Sequence, residues 1–255
     1  MRLHAFILHL SRATARRENA HRLLQDCGVP GEIWPAVDGA ALSAEEAAEE
    51  RARDLFAPRY PFVLKTGELG CSLSHKRIWT EMQDRDLDAA LIIEDDATLD
   101  RPSFDTALAL STDHLPTLGY IQLQTRPHRG PARHVETRGD CTLVIPQVPG
   151  LRTTAQLLTR GAAGRLLAAA PGFDRPVDTL VQSHWHTGLR PGAVFPSGVR
   201  DIAGELDGST IQGDTRPVWQ KLGRECARLR YRAAVKRFAR ASRAPHPAGM
   251  PRGHA

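Results

Sequence analysis

Glu94, Asp95 and Asp96 follow directly on Leu91, Ile92 and Ile93 in the stretch AALIIEDDATLD. Three adjacent carboxylates repel one another and resist leaving water, so a cation among them would offset the cost. Oxygen-rich clusters of this kind suit Mg2+ or Mn2+ bound together with a phosphate. The apolar run before them reads as a strand buried on both faces. In open α/β sheets, ligands bind outside the carboxyl ends of such strands. The alternative is a polar turn that closes the strand with its acids in water.

The elements needed to position this cluster are legible on both sides of it. HAFILHL (4–10) reads as a buried strand, followed by a polar helix through Ala20, Leu23 and Leu24 that stops near Gly28. A second short strand near Ile33–Val37 completes an opening βαβ unit. An Ala/Glu-rich helix is predicted over 43–54, and Thr66 can cap a longer one through GELGCSLSHKRIWTEMQDR. After the acids, the pattern predicts a helix over 103–111, a strand over 119–123 and a loop over 126–140. A strand at 142–145, a segment at 153–159 and a helix at 161–170 come next, and Pro176-Val177-Asp178 opens a further helix. Residues 190–215 read as loop.

The chain has 255 residues, 41% hydrophobic and 25% charged, which excludes wholesale disorder. No apolar run approaches the length of a membrane span. MRLHAFILHLSRATARR lacks the long apolar core and small-residue cleavage site of a signal peptide, so a cytoplasmic location is expected. Cys27, Cys71, Cys141 and Cys226 form no Cys-x-x-Cys pair and are expected to be free thiols. The net charge of +5 is unevenly spread: residues 216–255 hold 11 Lys and Arg against Glu225 alone, which leaves residues 1–215 at −5.

Six motifs occur in order: ILHLSRATARR, AVDG at 36–39, TGELGCSLSH at 66–75, ALIIEDD at 90–96, PVD at 176–178 and STI at 209–211. Together they resemble glycosyltransferase family 25, the lipooligosaccharide biosynthesis type that also includes collagen galactosyltransferases, over about residues 3–211. The resemblance implies a GT-A-like nucleotide-binding α/β domain with a mixed central sheet. It also implies a nucleotide-sugar donor, most often UDP-galactose, and a divalent metal, Mn2+ or Mg2+, on the acidic triplet. Family members are inverting enzymes that build β-linkages onto saccharide acceptors.

On that basis Asp96 is expected as metal ligand, with Glu94 and Asp95 supporting. Alternate residues of extended backbone face the same way, so Glu94 and Asp96 should converge while Asp95 points elsewhere. Inversion requires a group to take the acceptor hydroxyl's proton on the face opposite the departing nucleotide. Asp178 is the candidate base, a plain helix-cap aspartate being the alternative. Arg12, Arg16 and Arg17 could meet the diphosphate, and Arg16 matches the family's arginine. Asp38 matches the AVDG segment, where a turn glycine alone would suffice. Glu68 and His75, two helical turns apart, share a face that either lines the donor cleft or supplies cap and core residues. Two departures stand out. His9-Leu10-Ser11 replaces the family's Asn-Leu-Asp, leaving His9 to meet uracil or ribose, and Gln156 replaces an aromatic. The pair in His184-Trp185-His186 could instead supply a late metal ligand, though histidines in half-exposed segments are commonplace.

Past 216, Trp219, Leu222, Cys226, Leu229 and Ala233 form an apolar stripe on a helix dense in arginine. Such a helix suits peripheral contact with an anionic membrane, here the inner membrane, through 216–243. Packing of the stripe on the acidic body is the alternative, and no nucleic-acid recognition motif accompanies it. Residues 244–255 are Pro/Gly-rich and expected to be disordered. The division expected is a catalytic domain over 1–215 and a basic helical tail over 216–255. The function expected is metal-dependent, inverting transfer of a hexose from a UDP-sugar to a saccharide or glycolipid acceptor of lipopolysaccharide or another surface glycan. Phosphoryl transfer at the acids competes, but no Walker-type loop is present. A catalytically silent glycan- or nucleotide-sugar-binding protein of the same fold is the alternative from another class.

Overall fold

A computed structural model describes residues 1–206 and 218–244, with side chains at 1–204 and 223–244. The STI motif, residues 245–255 and the side chains of Trp219 and Leu222 lie outside the described residues.

The chain opens with β1 (Leu3–His9), one 3-10 turn, α1 (Arg17–Asp26) and β2 (Gly31–Pro35). β1 and β2 pair in parallel, the βαβ unit expected from the sequence, with β2 ending two residues earlier than predicted. α2 (Ala44–Glu49) starts at a capping box, in which Ser43 and Glu46 exchange side-chain-to-backbone hydrogen bonds of 3.1 and 2.8 Å. It is shorter than the 43–54 helix predicted. Then come α3 (Thr66–Asp84), β3 (Ala89–Glu94), β4 (Ala97–Leu99) and α4 (Arg101–Leu118). α4 runs past the predicted 111 because Leu115 and Leu118 pack in the core, and it stops at Gly119, whose φ of 74° suits a glycine.

The second half holds β5 (Tyr120–Leu123), β6 (Ala132–Arg138), β7 (Cys141–Pro146), β8 (Ala155–Thr159) and α5 (Arg160–Ala169). It continues with α6 (Val177–Gln182), α7 (His184–Thr187), β9 (Gly192–Phe195), β10 (Val199–Asp201), α8 (Ala203–Leu206) and α9 (Val218–Ala241). β6 corrects the loop expected over 126–140. It is an edge strand, ARHVETR, whose one neighbour is β7, and its polar, half-exposed residues leave no apolar signature. β9, β10 and α8 likewise correct the loop expected over 190–215. They are short, and β10 pairs with β4 outside the main sheet.

The main sheet has eight strands in the order β2-β1-β3-β8-β5-β9-β7-β6. β1 runs parallel to β2 and β3, β5 runs parallel to β9, and the remaining pairs are antiparallel. This is the α/β architecture with a mixed sheet that the sequence predicts. Successive side chains on β1 and β3 enter opposite layers. Ala5, Ile7, Leu91 and Ile93 join α1 and α4, whereas Phe6, Ala90 and Ile92 join α3, α5 and α6. Both faces are covered, which is why these strands read as unbroken apolar runs. Among the described residues no helix is long and apolar enough to cross a membrane.

α9 packs through a different face from the predicted stripe. Cys226 and Ala233 are exposed and Leu229 is 61% exposed, while Val235 and Ala239 are buried. Tyr231 meets Tyr60 edge-on with ring centroids 5.5 Å apart, and Phe238 lies 5.8 Å from Trp185. Beyond α9, Arg190 donates to the carbonyls of Ser242 and Ala244 at 3.0 and 2.9 Å.

Candidate active site

The acidic turn sits where β3 leaves the sheet. Glu94 and Asp96 line one cleft of about 530 Å3, together with Glu68, Asp178 and Asp201. Asp95 faces the other way, in the turn that joins β3 to β4. It is 5% exposed and accepts hydrogen bonds from His9 Nδ1 at 2.7 Å, the Leu10 amide at 3.3 Å and Arg16 Nη1 at 3.2 Å. Asn19 Nδ2 donates to the carbonyls of Asp95 and Ala97, both at 2.8 Å. The opening βαβ unit therefore grips the turn from behind, and Arg16 reaches past Asp95 to Asp96 at 3.1 Å. His9 Nε2 is buried with no hydrogen-bond partner among the described residues.

α3 supplies the neighbouring wall. Gly39 and Gly70 let the 37–39 segment press on this helix, since a Cβ at either would lie within 2.6 Å of backbone. Ser74 Oγ accepts from the Val37 amide at 2.8 Å and donates to the Gly70 carbonyl at 2.7 Å. Asp38 itself lies off the cleft, bonded to the Ala40 amide at 2.9 Å and paired with Arg12 at 2.7 Å. Glu68 accepts from the Lys65 amide at 2.8 Å, opening α3 while it lines the cleft. His75, fully buried, stands 3.4 Å from Glu94 through Nε2, and Gln156 Nε2 donates to its Nδ1 at 3.1 Å. That contact leaves the Nε2 proton for Glu94 and puts Gln156 behind His75, away from the cleft lining.

The acids of the cleft differ in their protonation. Burial pushes Glu94 up, but His75 and the Thr153 hydroxyl, which donates at 2.7 Å, bring it below its ordinary value. Burial and the charge of Glu94 lift Asp96 to about 6 against the pull of Arg16. Asp178, second residue of α6, is raised by burial, although the Arg152 amide and the Thr179 hydroxyl each donate to it at 3.2 Å. Arg152 holds a φ of 91°, a strained value for a non-glycine residue, and its side chain pairs with Asp201. Tyr60, on the rim, is pushed up to about 12 by burial and by Glu68 and Asp178, so its hydroxyl is a donor at neutral pH.

The donor chemistry of Glu94 and Asp96 fits a hard divalent cation, because two desolvated carboxylates facing one cleft repel until a cation joins them. A softer grouping lies behind, with ligand atoms of Cys71, His75 and Glu94 within 4.8 Å of one another. Burial, followed by the charge of Glu94, pushes the Cys71 thiol well above its usual range, which keeps it protonated and a poor ligand. His184 and His186 are tied to the carbonyls of Gln147 and Ala169, both at 3.0 Å, as ordinary structural histidines.

The sequence model of glycosyltransferase family 25 (LPS biosynthesis protein) matches residues 2–181. The chain belongs to glycosyltransferase family 25. A glycosyltransferase 25 family member of Drosophila pseudoobscura pseudoobscura is 39% identical over 102 residues, covering 38% of this chain and 16% of that protein. Procollagen galactosyltransferase 1 of Danio rerio is 40% identical over 94 residues, 36% of this chain and 16% of the relative. The human procollagen galactosyltransferase 2 is 37% identical over 94 residues, 36% of this chain and 15% of its own length. The matched segments thus span a small fraction of these curated relatives. A crystal structure of mannose-1-phosphate geranyltransferase from Thermus thermophilus is 13% identical and superposes with a TM-score of 0.43, covering 76% of this chain and 74% of that one.

Within this family 25 domain, the cleft also contains residues that sequence reasoning did not single out: Tyr60, Cys71, Arg152, Thr153, Thr154 and Asp201. Cys71 alone had a signal, since it lies inside TGELGCSLSH. Asp201 ends a short strand with no apolar run, and Arg152 and Thr153 sit in a loop.

Proposed function

We propose that the cleft transfers a hexose, galactose first, from a UDP-sugar to a saccharide acceptor of lipopolysaccharide or another surface glycan, with inversion. The observation that carries this reading is that Asp178 enters the same cleft as Glu94 and Asp96 although more than 80 residues separate them in the chain. The galactosyl preference draws on the names of the procollagen galactosyltransferase relatives.

Asp96, with Glu94, would hold Mn2+ or Mg2+, which when bound neutralises charge developing on a diphosphate leaving group. Arg16 adds a fixed positive charge beside Asp96 and keeps Asp95 turned inward. His75 and Thr153 hold the Glu94 carboxylate in one orientation. Asp178 accepts the proton of the acceptor hydroxyl. Burial raises its basicity, and hydrogen bonds from the Arg152 amide and the Thr179 hydroxyl aim it. The exposed side of α9, with Leu229 flanked by Arg230 and Arg232, rests on an anionic membrane surface that carries the acceptor.

A donor panel of UDP- and GDP-hexoses, read by nucleotide released with Mn2+ and with chelator, tests the reaction. UDP-galactose should turn over with Mn2+, and Asp96→Ala should abolish it. Metal-independent UDP binding with no turnover on any donor would instead favour a silent binding protein. Flotation with phosphatidylglycerol vesicles tests the tail: Leu229→Glu should weaken binding about tenfold, and equal binding to phosphatidylcholine vesicles would refute the contact.

A further inference from the structure

A second cavity, of about 430 Å3, opens beside the cleft and shares Leu151 and Arg152 with it. Segment 124–131 after β5, the 147–152 connection between β7 and β8, and residues of α9 form its walls. Its floor is polar and fixed. Gln124 donates to Gln122 at 2.8 Å, Gln122 donates to the Gly150 carbonyl at 3.1 Å, and Gln182 donates to the Pro149 carbonyl at 2.6 Å. A Cβ at Gly150 would lie 2.8 Å from Gln124 Nε2, so a larger residue there would displace the Gln124 amide from this floor.

Among the described residues Arg126, Arg129, Arg152, Lys236 and Arg240 line the cavity, and no Asp or Glu does. Arg152 is paired with Asp201, whereas no ion pair engages the other four among the described residues. His128, in the same wall, has a buried Nε2 without a hydrogen-bond partner. Like charges gathered around one concavity focus a positive potential that favours an anion. Arginine forks suit the planar or tetrahedral oxygens of carboxylate and phosphate.

The position of the cavity decides which substrate the anion belongs to. In the sheet, β1 and β3 lie on one side of β8, carrying His9 and the acidic turn, with Arg16 in the 3-10 turn after β1, and β5 lies on the other. The basic cavity is on the β5 side, past Asp178 and Arg152, away from the residues assigned to the nucleotide. We propose that it binds an anionic group, phosphate monoester or carboxylate, on the acceptor sugar whose hydroxyl faces Asp178. The proposal rests on the transferase reading of the cleft, but its test does not require turnover.

Calorimetric titration with glucose, glucose 6-phosphate, glucuronate and inorganic phosphate provides that test. Glucose 6-phosphate, or both charged sugars, should bind about tenfold tighter than glucose. A preference for glucose 6-phosphate alone assigns phosphate, and a shared preference assigns anionic sugars generally. In a Lys236→Gln/Arg240→Gln double variant the preference should fall to about threefold or less. Both side chains are exposed, and an unchanged melting temperature establishes that the variant is folded. Equal or absent binding of the sugars, inorganic phosphate matching glucose 6-phosphate, or a preference that survives the double variant would overturn the proposal. Charge-selective binding with no turnover on any donor would sink the transferase reading and leave the anion site standing.

Discussion

The acidic cleft and the basic cavity share a wall and keep their charges in opposite ways. In the cleft, burial and crowding work against ionisation: Asp96 is lifted to about 6 and Asp178 is raised. In the cavity, Arg126, Arg129, Lys236 and Arg240 sit on exposed side chains with water around them. The cleft therefore stores unfavourable energy that a bound cation or proton can release, while the cavity offers attraction at little cost to the fold. Arg152 stands on the border, its strained backbone serving Asp178 and its side chain pairing with Asp201.

The contrast can be broken experimentally, most severely at Asp178. Asp178→Asn should lower transfer about 10²- to 10⁴-fold, the usual contribution of a general base, while calorimetry shows UDP binding intact. Transfer near the wild-type rate would remove Asp178 as the base. A smaller effect concerns stability. The pKa of Asp96 is higher folded than unfolded, so the stabilisation from its proton is present at low pH and lost as pH rises through about 6. At pH 7 without metal, Asp96→Asn should therefore stabilise the fold by about 1–3 kcal/mol, measured by denaturant unfolding, and the gain should disappear near pH 4. Lys236→Gln, from the cavity, should change stability by no more than about 0.5 kcal/mol. A larger loss at Lys236 than gain at Asp96 would reverse the comparison.

The N-terminal half was far more legible than the C-terminal half, for physical reasons. β1 and β3 are covered on both faces, so their composition betrays them, whereas Asp95 is held toward His9 by the turn after β3 and its bonds to His9, the Leu10 amide and Arg16. The motifs AVDG and TGELGCSLSH meet through Gly39 and Gly70, a contact that their spacing in sequence does not reveal. β6 and β10 lie at edges, where one partner and a wet face need no apolar run. Asp201 entered the cleft through the β4–β10 pairing, which no local pattern encodes. On α9 two apolar stripes compete at helical spacing. Tyr231, Val235 and Phe238 pack inward because Tyr60 and Trp185 await them, leaving Leu229 outside.

The cysteines give the molecule an unplanned chemical address. Burial holds Cys141 at about 11 and lifts Cys27 and Cys71 as well, so these thiols remain unreactive toward alkylating reagents. Cys226 is exposed on α9, beside Leu229 on the stripe that faces away from the body. A maleimide fluorophore would therefore label this one position in the unmodified protein. Its emission colour would report whether the stripe remains in water or enters lipid, without a single engineered residue. The same selectivity makes Cys71, despite its place in the cleft, a poor foothold for covalent inhibitors.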